Sequence, residues 1–401
     1  MYVKSFKVIL SVIGVLLLNS CAGKHVRPPS NYYPAQTEMQ NKKIIRVAFD
    51  QNGHIYPLST KDWNWNAKEF QLSKYCQIVG CSYQLRKLHN SNGVPVYNPS
   101  KDRNKYTKQL IQDLNKILQN QDKLVIFIHG FNNDYKKAQE TYNEFRKKMN
   151  NYPILEVYWD GLKKSSPLKI WFSSLTYSNL AGQIGLRPII NGINKPIDLV
   201  FVTHSRGAAV AISTVSDPIY DSDICAPQEE NLSCNDNVCK CEKEDEVCLC
   251  KNGKFLGFIK PNFKKIKSLN FVFFAPAIGE GHFWKNMDRY FPDNKIINFY
   301  LGTDENDSAT SKAFLSSKAF GDTSLGSDPK TIKKIIKIYS DNNTKINIQD
   351  TRFMQKEHGI KDGYFSKENK DRSDCIFWAA GLNRKKPQNC KLIRYDNINS
   401  Y

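Results

Sequence analysis

The sequence predicts an α/β fold: a mostly parallel sheet with helices on both faces, interrupted by a disulfide-rich insertion. Three observations carry this. Runs such as Leu124-Val125-Ile126-Phe127-Ile128 and Leu199-Val200-Phe201-Val202 are apolar on both faces, as strands covered from both sides must be. Stretches of helical periodicity alternate with these runs. Six cysteines crowd between Cys225 and Cys250, in an acidic, Asn-rich block with little else to build a core.

In chain order, Ile44 to Phe49 reads as a strand, and a helix is expected from about Tyr106 to Leu118. The buried strand Leu124–Ile128 ends in His129-Gly130-Phe131-Asn132-Asn133, and a helix pattern runs from Asp134 to Met149. Leu155–Trp159 is the next strand, followed by Asp160, a further acid at a strand end. A helical stretch over about 176–193 leads to the strand Ile197–Val202, then Thr203-His204-Ser205-Arg206-Gly207 and a small-residue helix, Ala208 to about Val215. The Cys-rich block spans about 217–265. Strands resume at Leu269–Phe274 and Lys295–Leu301, with a helix near 282–290 between them. A helix from Ser308 to Phe314, a Lys/Ile-rich helix or strand at 330–338, a loop carrying His358 and a short helix around 374–382 complete the pattern. No internal repeat is visible.

The N-terminus has its own logic. Lys4 and Lys7 precede an 11-residue run, Val8 to Leu18, too short to span a bilayer of about 30 Å as a helix. The order positive, apolar, small is that of a secretory signal. Leu18-Asn19-Ser20-Cys21 resembles a bacterial lipobox, which implies cleavage after Ser20 and a diacylated Cys21 at the mature N-terminus. Residues 21–42, polar with three prolines, then read as a flexible tether, and residues 43–401 as one domain carrying the insertion. Ala22 rather than Asp after the cysteine resembles outer-membrane sorting in Gram-negative bacteria, so the expected location is the cell envelope, lipid-anchored.

Net charge is +19, and +17 once Lys4 and Lys7 are removed with the signal. Such a surface draws anionic partners. No basic run interleaved with aromatics indicates a nucleic-acid surface. With Cys21 set aside, ten of the 11 cysteines remain, an even number suited to an oxidising compartment. Their local grouping predicts Cys76–Cys81 and Cys375–Cys390, while Cys225, Cys234, Cys239, Cys241, Cys248 and Cys250 allow 15 connectivities. The two Cys-x-Cys pairs also fit a zinc cluster, which export disfavours. No metal and no cofactor are expected.

A strand, then Thr203-His204-Ser205-Arg206-Gly207, then a small-residue helix puts a serine on a sharp turn with a helix N-terminus behind it. Here the sequence resembles the α/β-hydrolase superfamily of esterases and lipases, over about 124–207 and 269–358. The family pattern is Gly-x-Ser-x-Gly, and Thr203 replaces its first glycine. The branched Cβ of Thr203 requires an opened turn or a small facing residue. The resemblance implies that Ser205 is a nucleophile rather than a helix cap, and that the amides of Phe131 and Arg206 form an oxyanion hole. His129 and His204 are expected to be structural.

The superfamily order is Ser, acid, His. Only His282 and His358 follow Ser205, and His282 precedes the acid-bearing strand, which leaves His358. The acid should follow the strand ending at Leu301; Asp307 is the first choice and Asp304 the alternative. The expected function is a membrane-anchored serine hydrolase of carboxylic esters, lipid esters among them. A non-catalytic binding protein on the same scaffold is the rival, and a peptidase would use the same triad.

Overall fold

The computed structural model describes residues 44–49, 53, 55, 88–89, 95–97, 99–133, 135–159, 177–216, 232–235, 238–241, 250–251, 254–255, 261–279, 282–283, 296–307, 309–310, 323–340, 346–353 and 357–395. The signal, Cys21, the tether, Cys76, Cys81, Asp160, Cys225, Cys248 and most of the helices expected at 282–290 and 308–314 lie outside the described residues. Among the described residues no helix is long and apolar enough to cross a membrane.

An eight-stranded sheet organises the chain. Its strands are β1 (Ile44–Phe49), β2 (Lys123–Ile128), β3 (Ile154–Trp159), β4 (Ile197–His204), β5 (Ile266–Phe274), β6 (Ile296–Thr303), β7 (Ile346–Arg352) and β8 (Ile393–Arg394). The spatial order is β1-β3-β2-β4-β5-β6-β7-β8, parallel except for the last pair. The fold is thus the mostly parallel α/β sheet that the apolar runs predict. The helices are α1 (Pro99–Leu118), α2 (Tyr135–Lys147), α3 (Arg187–Asn191), α4 (Gly207–Val215), α5 (Pro329–Ser340) and α6 (Lys370–Ala379).

The central strands are buried because they are apolar on both faces and flanked on both edges. One fully buried carboxyl group interrupts them. Glu156 on β3 is fully buried, yet it lies opposite Arg46 of β1 in register and pairs with its Nε at 2.9 Å. Arg146 of α2 and the Tyr158 hydroxyl also bind it. A carboxylate can be buried here only because these donors replace its water.

Helix α4 is buried over its whole length, which its composition GAAVAISTV allows. Arg187, also fully buried, closes its C-terminal end: Nε donates to the Thr214 carbonyl at 2.9 Å and Nη2 donates to those of Ser213 and Ser216. A cation on the last free carbonyls complements the helix dipole. Ala181–Leu186 forms a π-helical segment against α4, where a Cβ on Gly182 would lie 2.5 Å from the Val210 carbonyl oxygen.

Several elements depart from expectation. Strand β4 runs on through Thr203 and His204, because β5 continues the ladder opposite them at Phe273 and Phe274. The ambiguous 330–338 segment is helical: Thr331, Ile332, Ile335 and Tyr339 are buried at helical spacing and Lys330, Lys333, Lys334 and Lys337 face out. Within the insertion, Leu232–Asn235 pairs antiparallel with Val238–Cys241, and Cys250–Lys251 with Lys254–Phe255. Cys375 of α6 is bonded to Cys390, as the local grouping predicts, with Cα atoms 5.1 Å apart.

Candidate active site

Ser205 sits between β4 and α4 with φ 53°, in the left-handed region that a residue with a Cβ seldom occupies. The turn is braced from both sides. The Ser205 N–H donates to the Phe274 carbonyl at 2.9 Å, and the Ser205 carbonyl accepts from Ala208 and Ala277. Close passage of strand and helix is met by glycines. A Cβ on Gly207 would fall 2.6 Å from the Ile128 carbonyl oxygen, and one on Gly130 would fall 2.9 Å from the Ser205 Cβ. Gly130 is therefore a small residue facing Ser205 and His204, while Thr203 itself lies in the ladder between Ile128 and Phe273.

The loop after β2 carries His129, Gly130 and Phe131. His129 is buried and its ring stacks on Trp159, centroids 5.7 Å apart. Its Nδ1 donates to the Gly130 carbonyl at 2.7 Å and its Nε2 accepts the Trp159 N–H at 3.2 Å. Both ring nitrogens are committed to holding the backbone of this loop. Phe131 is half-buried against the core next to Gly130, and Arg206 is the N-cap residue of α4, directly after the serine.

Asp307 follows β6 and is fully buried. His358 Nδ1 lies 2.9 and 2.8 Å from its two oxygens. The amides of Ala309 and Thr310 donate to Oδ1 at 2.9 and 3.0 Å, and the Tyr364 hydroxyl donates to Oδ2 at 3.1 Å. Burial on its own raises the pKa of this carboxyl; the His358 contact and the two amides outweigh it and bring it to about 2. Asp307 is therefore ionised, and it holds the proton of His358 on Nδ1, leaving Nε2 as the basic nitrogen. Asp304 stands elsewhere: its Oδ1 accepts the Asn306 amide at 2.9 Å and closes its own turn. Of the two candidate acids, Asp307 is the one that meets His358.

His204 brings this pair to the serine. Its ring lies 4.7 Å from that of His358, and its Nε2 is 2.7 Å from the His358 carbonyl oxygen. His358 Nε2 and Ser205 Oγ are both buried, and neither has a hydrogen-bond partner in this structure. His282, set aside on chain order, has its Nδ1 at 3.4 Å from the Gly279 amide.

Sequence reasoning missed Tyr364 and Asp350. Tyr364 reaches Asp307 from the π-helical turn Ile360–Tyr364 just after His358, and packs on Phe274 and Phe353. Asp350 on β7 is buried beneath this site, accepts from Thr303 Oγ1 at 2.8 Å, and burial lifts its carboxyl to about 6. A raised folded pKa means a contribution present below the unfolded value and lost as pH rises through about 6. Asp350→Asn should accordingly gain about 2–3 kcal/mol on the wild type between acid and pH 8, read as a melting-temperature difference that grows with pH.

A parallel sheet of this order, with a strained serine at a strand-to-helix turn and an acid–histidine pair on later loops, defines an α/β hydrolase. The chain belongs to the family described as alpha/beta hydrolase of unknown function (DUF900), whose model matches residues 102–370. Among solved structures, a phospholipase/carboxylesterase from Dyadobacter fermentans DSM 18053 is similar at 12% identity, covering 65% of this chain and 92% of that one, with a TM-score of 0.31. Esterase B from Lactobacillus rhamnosis, inhibited by a C4-C4 SN3 tributyrin phosphonate, is similar at 13% identity, covering 57% of this chain and 64% of that one, with a TM-score of 0.25. No curated protein matches the chain.

Proposed function

We propose that the protein is a serine hydrolase of carboxylic esters, acting through Ser205, His358 and Asp307. One observation carries this reading. A buried carboxylate binds His358 through Nδ1, while the other ring nitrogen and the hydroxyl of Ser205, the residue after the His204 ring that lies 4.7 Å from that of His358, are both buried and without a hydrogen-bond partner. Leaving two such groups unsatisfied costs stability, which is the mark of a site kept for chemistry.

Ser205 Oγ attacks the acyl carbon as His358 Nε2 takes its proton. The backbone amides of Phe131 and Arg206 receive the oxyanion, with the N-terminus of α4 favouring the developing charge. His358 then protonates the leaving alcohol and activates water for deacylation, and Asp307 stabilises the imidazolium throughout. The hydrogen bond between Ser205 and His358 closes when substrate binds, as such bonds commonly tighten only in the reacting complex.

The same reading extends to location. Cys21 carries the lipid anchor and the chain works at the bacterial envelope, in the outer membrane, where acyl esters of lipids are within reach.

A fluorophosphonate probe tests the chemistry. Covalent labelling of the full chain, abolished in Ser205→Ala, is expected; a folded wild-type protein that takes no label is instead a binding module on this scaffold.

A further inference from the structure

We infer that His204 is a positioning residue that anchors the backbone of His358, so that the base is fixed by the residue directly preceding the nucleophile. The inference rests on the reading of Ser205 and His358 above and adds a third histidine-borne contact to it.

His204 ends β4 and is buried. Its Nε2 lies 2.7 Å from the carbonyl oxygen of His358, 154 residues later in the chain. A carbonyl can only accept, so Nε2 carries the proton and Nδ1 is bare in the neutral ring. Neutrality is secured by the surroundings: burial first, then the neighbouring His358, lower the His204 pKa to about 3, against the pull of the His358 carbonyl and Asp307. The Nδ1 edge faces the loop after β2, where a Cβ on Gly130 would come within 3.1 Å of it. One side chain thus lies against the base loop on one edge and the oxyanion-side loop on the other, and its backbone continues directly into Ser205.

The need for such an anchor is visible around His358. Asp307 holds Nδ1, which fixes one end of the ring and leaves a pivot about that bond. On the chain side, the Gly359 carbonyl accepts the Tyr364 N–H at 3.1 Å, while a Cβ at Gly359 would meet nothing within 4 Å, so side-chain packing adds no further hold there. The His204 N–H to the carbonyl removes that freedom. The two rings lie 4.7 Å apart by centroid, and the chain runs from His204 directly into Ser205, so holding the His358 backbone to His204 ties the base to the serine turn. Loss of the anchor lowers the fraction of time in reactive geometry and leaves substrate binding alone.

The test uses His204→Leu and His204→Gln in the full chain, with kcat and KM measured on p-nitrophenyl butyrate and the inactivation rate measured with a fluorophosphonate. In His204→Leu, kcat should fall about 10- to 100-fold with KM within about twofold, and the inactivation rate should fall in step. His204→Gln should recover to within about fivefold of wild type, since its amide N–H sits where Nε2–H does. Wild-type rates in the Leu variant, or equal impairment of both variants, overturn the inference. Nitrogen-15 NMR of the histidines decides independently of activity. His204 should hold the Nε2–H tautomer without titrating between about pH 5 and 8, whereas an Nδ1–H tautomer or a titration in that range refutes the anchor. A wild-type protein inert to the fluorophosphonate but with His204 in the Nε2–H form sinks the Ser205 reading and leaves the anchor standing.

Discussion

Asp307→Asn is expected to cost about three to four orders of magnitude in kcat, with KM little changed and the fold retained. The size follows from what surrounds the carboxylate. The amides of Ala309 and Thr310 both donate to Oδ1, so the amide oxygen of the new asparagine is drawn to that place. Its NH2 group then occupies the Oδ2 position, 2.8 Å from His358 Nδ1. Two donors cannot face each other, and His358 answers by moving its proton to Nε2. A ring protonated there accepts nothing from Ser205. Steady-state kinetics on an ester substrate, with circular dichroism as the control for folding, checks the outcome; activity within about tenfold of wild type excludes Asp307 from the reaction. Asp304→Asn is the companion variant, expected to stay within about tenfold, because Asp304 closes its own turn through the Asn306 amide. Stability gives a second reading. The depressed carboxyl of Asp307 contributes above the ordinary aspartate range, and that contribution disappears as pH falls through about 2. The asparagine variant should show less of this acid sensitivity.

How far the sequence was legible depends on whether a residue's reason is local. Strands β2 and β4 announce themselves because burial on both faces demands consecutive apolar residues. The serine turn is legible for the same kind of reason, since sharp backbone and close packing require small neighbours in adjacent positions. Strand β7, INIQDTR, has no such signature: it lies toward the sheet edge and its burial alternates irregularly. What places it is a ladder of asparagines in register, Asn270 to Asn298 at 2.8 Å and Asn298 to Asn347 at 2.9 Å, drawn from three strands. The same division runs through the site. Ser205 and its choice of histidine follow from local pattern and chain order. Tyr364, 57 residues from Asp307, and His204, 154 residues from the carbonyl it faces, act across distances that no local motif encodes.

The second large effect is one of stability, at Gly207. An alanine there should destabilise the protein by about 2–4 kcal/mol, lower its melting temperature by roughly 5–10 °C and reduce fluorophosphonate labelling of whatever remains folded. Its Cβ would meet two backbone oxygens, of Ile128 at 2.6 Å and of His129 at 2.7 Å. Neither can give way. Strand β2 is paired on both edges, the His129 carbonyl already accepts Trp159 Nε1 at 2.7 Å, and the His129 N–H is held by the Tyr142 hydroxyl at 2.9 Å. Helix α4 is buried on every side and cannot retreat without leaving a void. Any shift of its first turn is passed straight to the nucleophile, because the Ala208 amide is bonded to the Ser205 carbonyl. Gly359 is the counter-case, one residue after the base. Its φ is −71° and a Cβ there would have nothing within 4 Å, so Gly359→Ala should leave the melting temperature unchanged or slightly raised and activity intact. If the two alanine variants melt alike, helix and strand do not press together at the serine turn, and the close packing argued for this elbow is wrong.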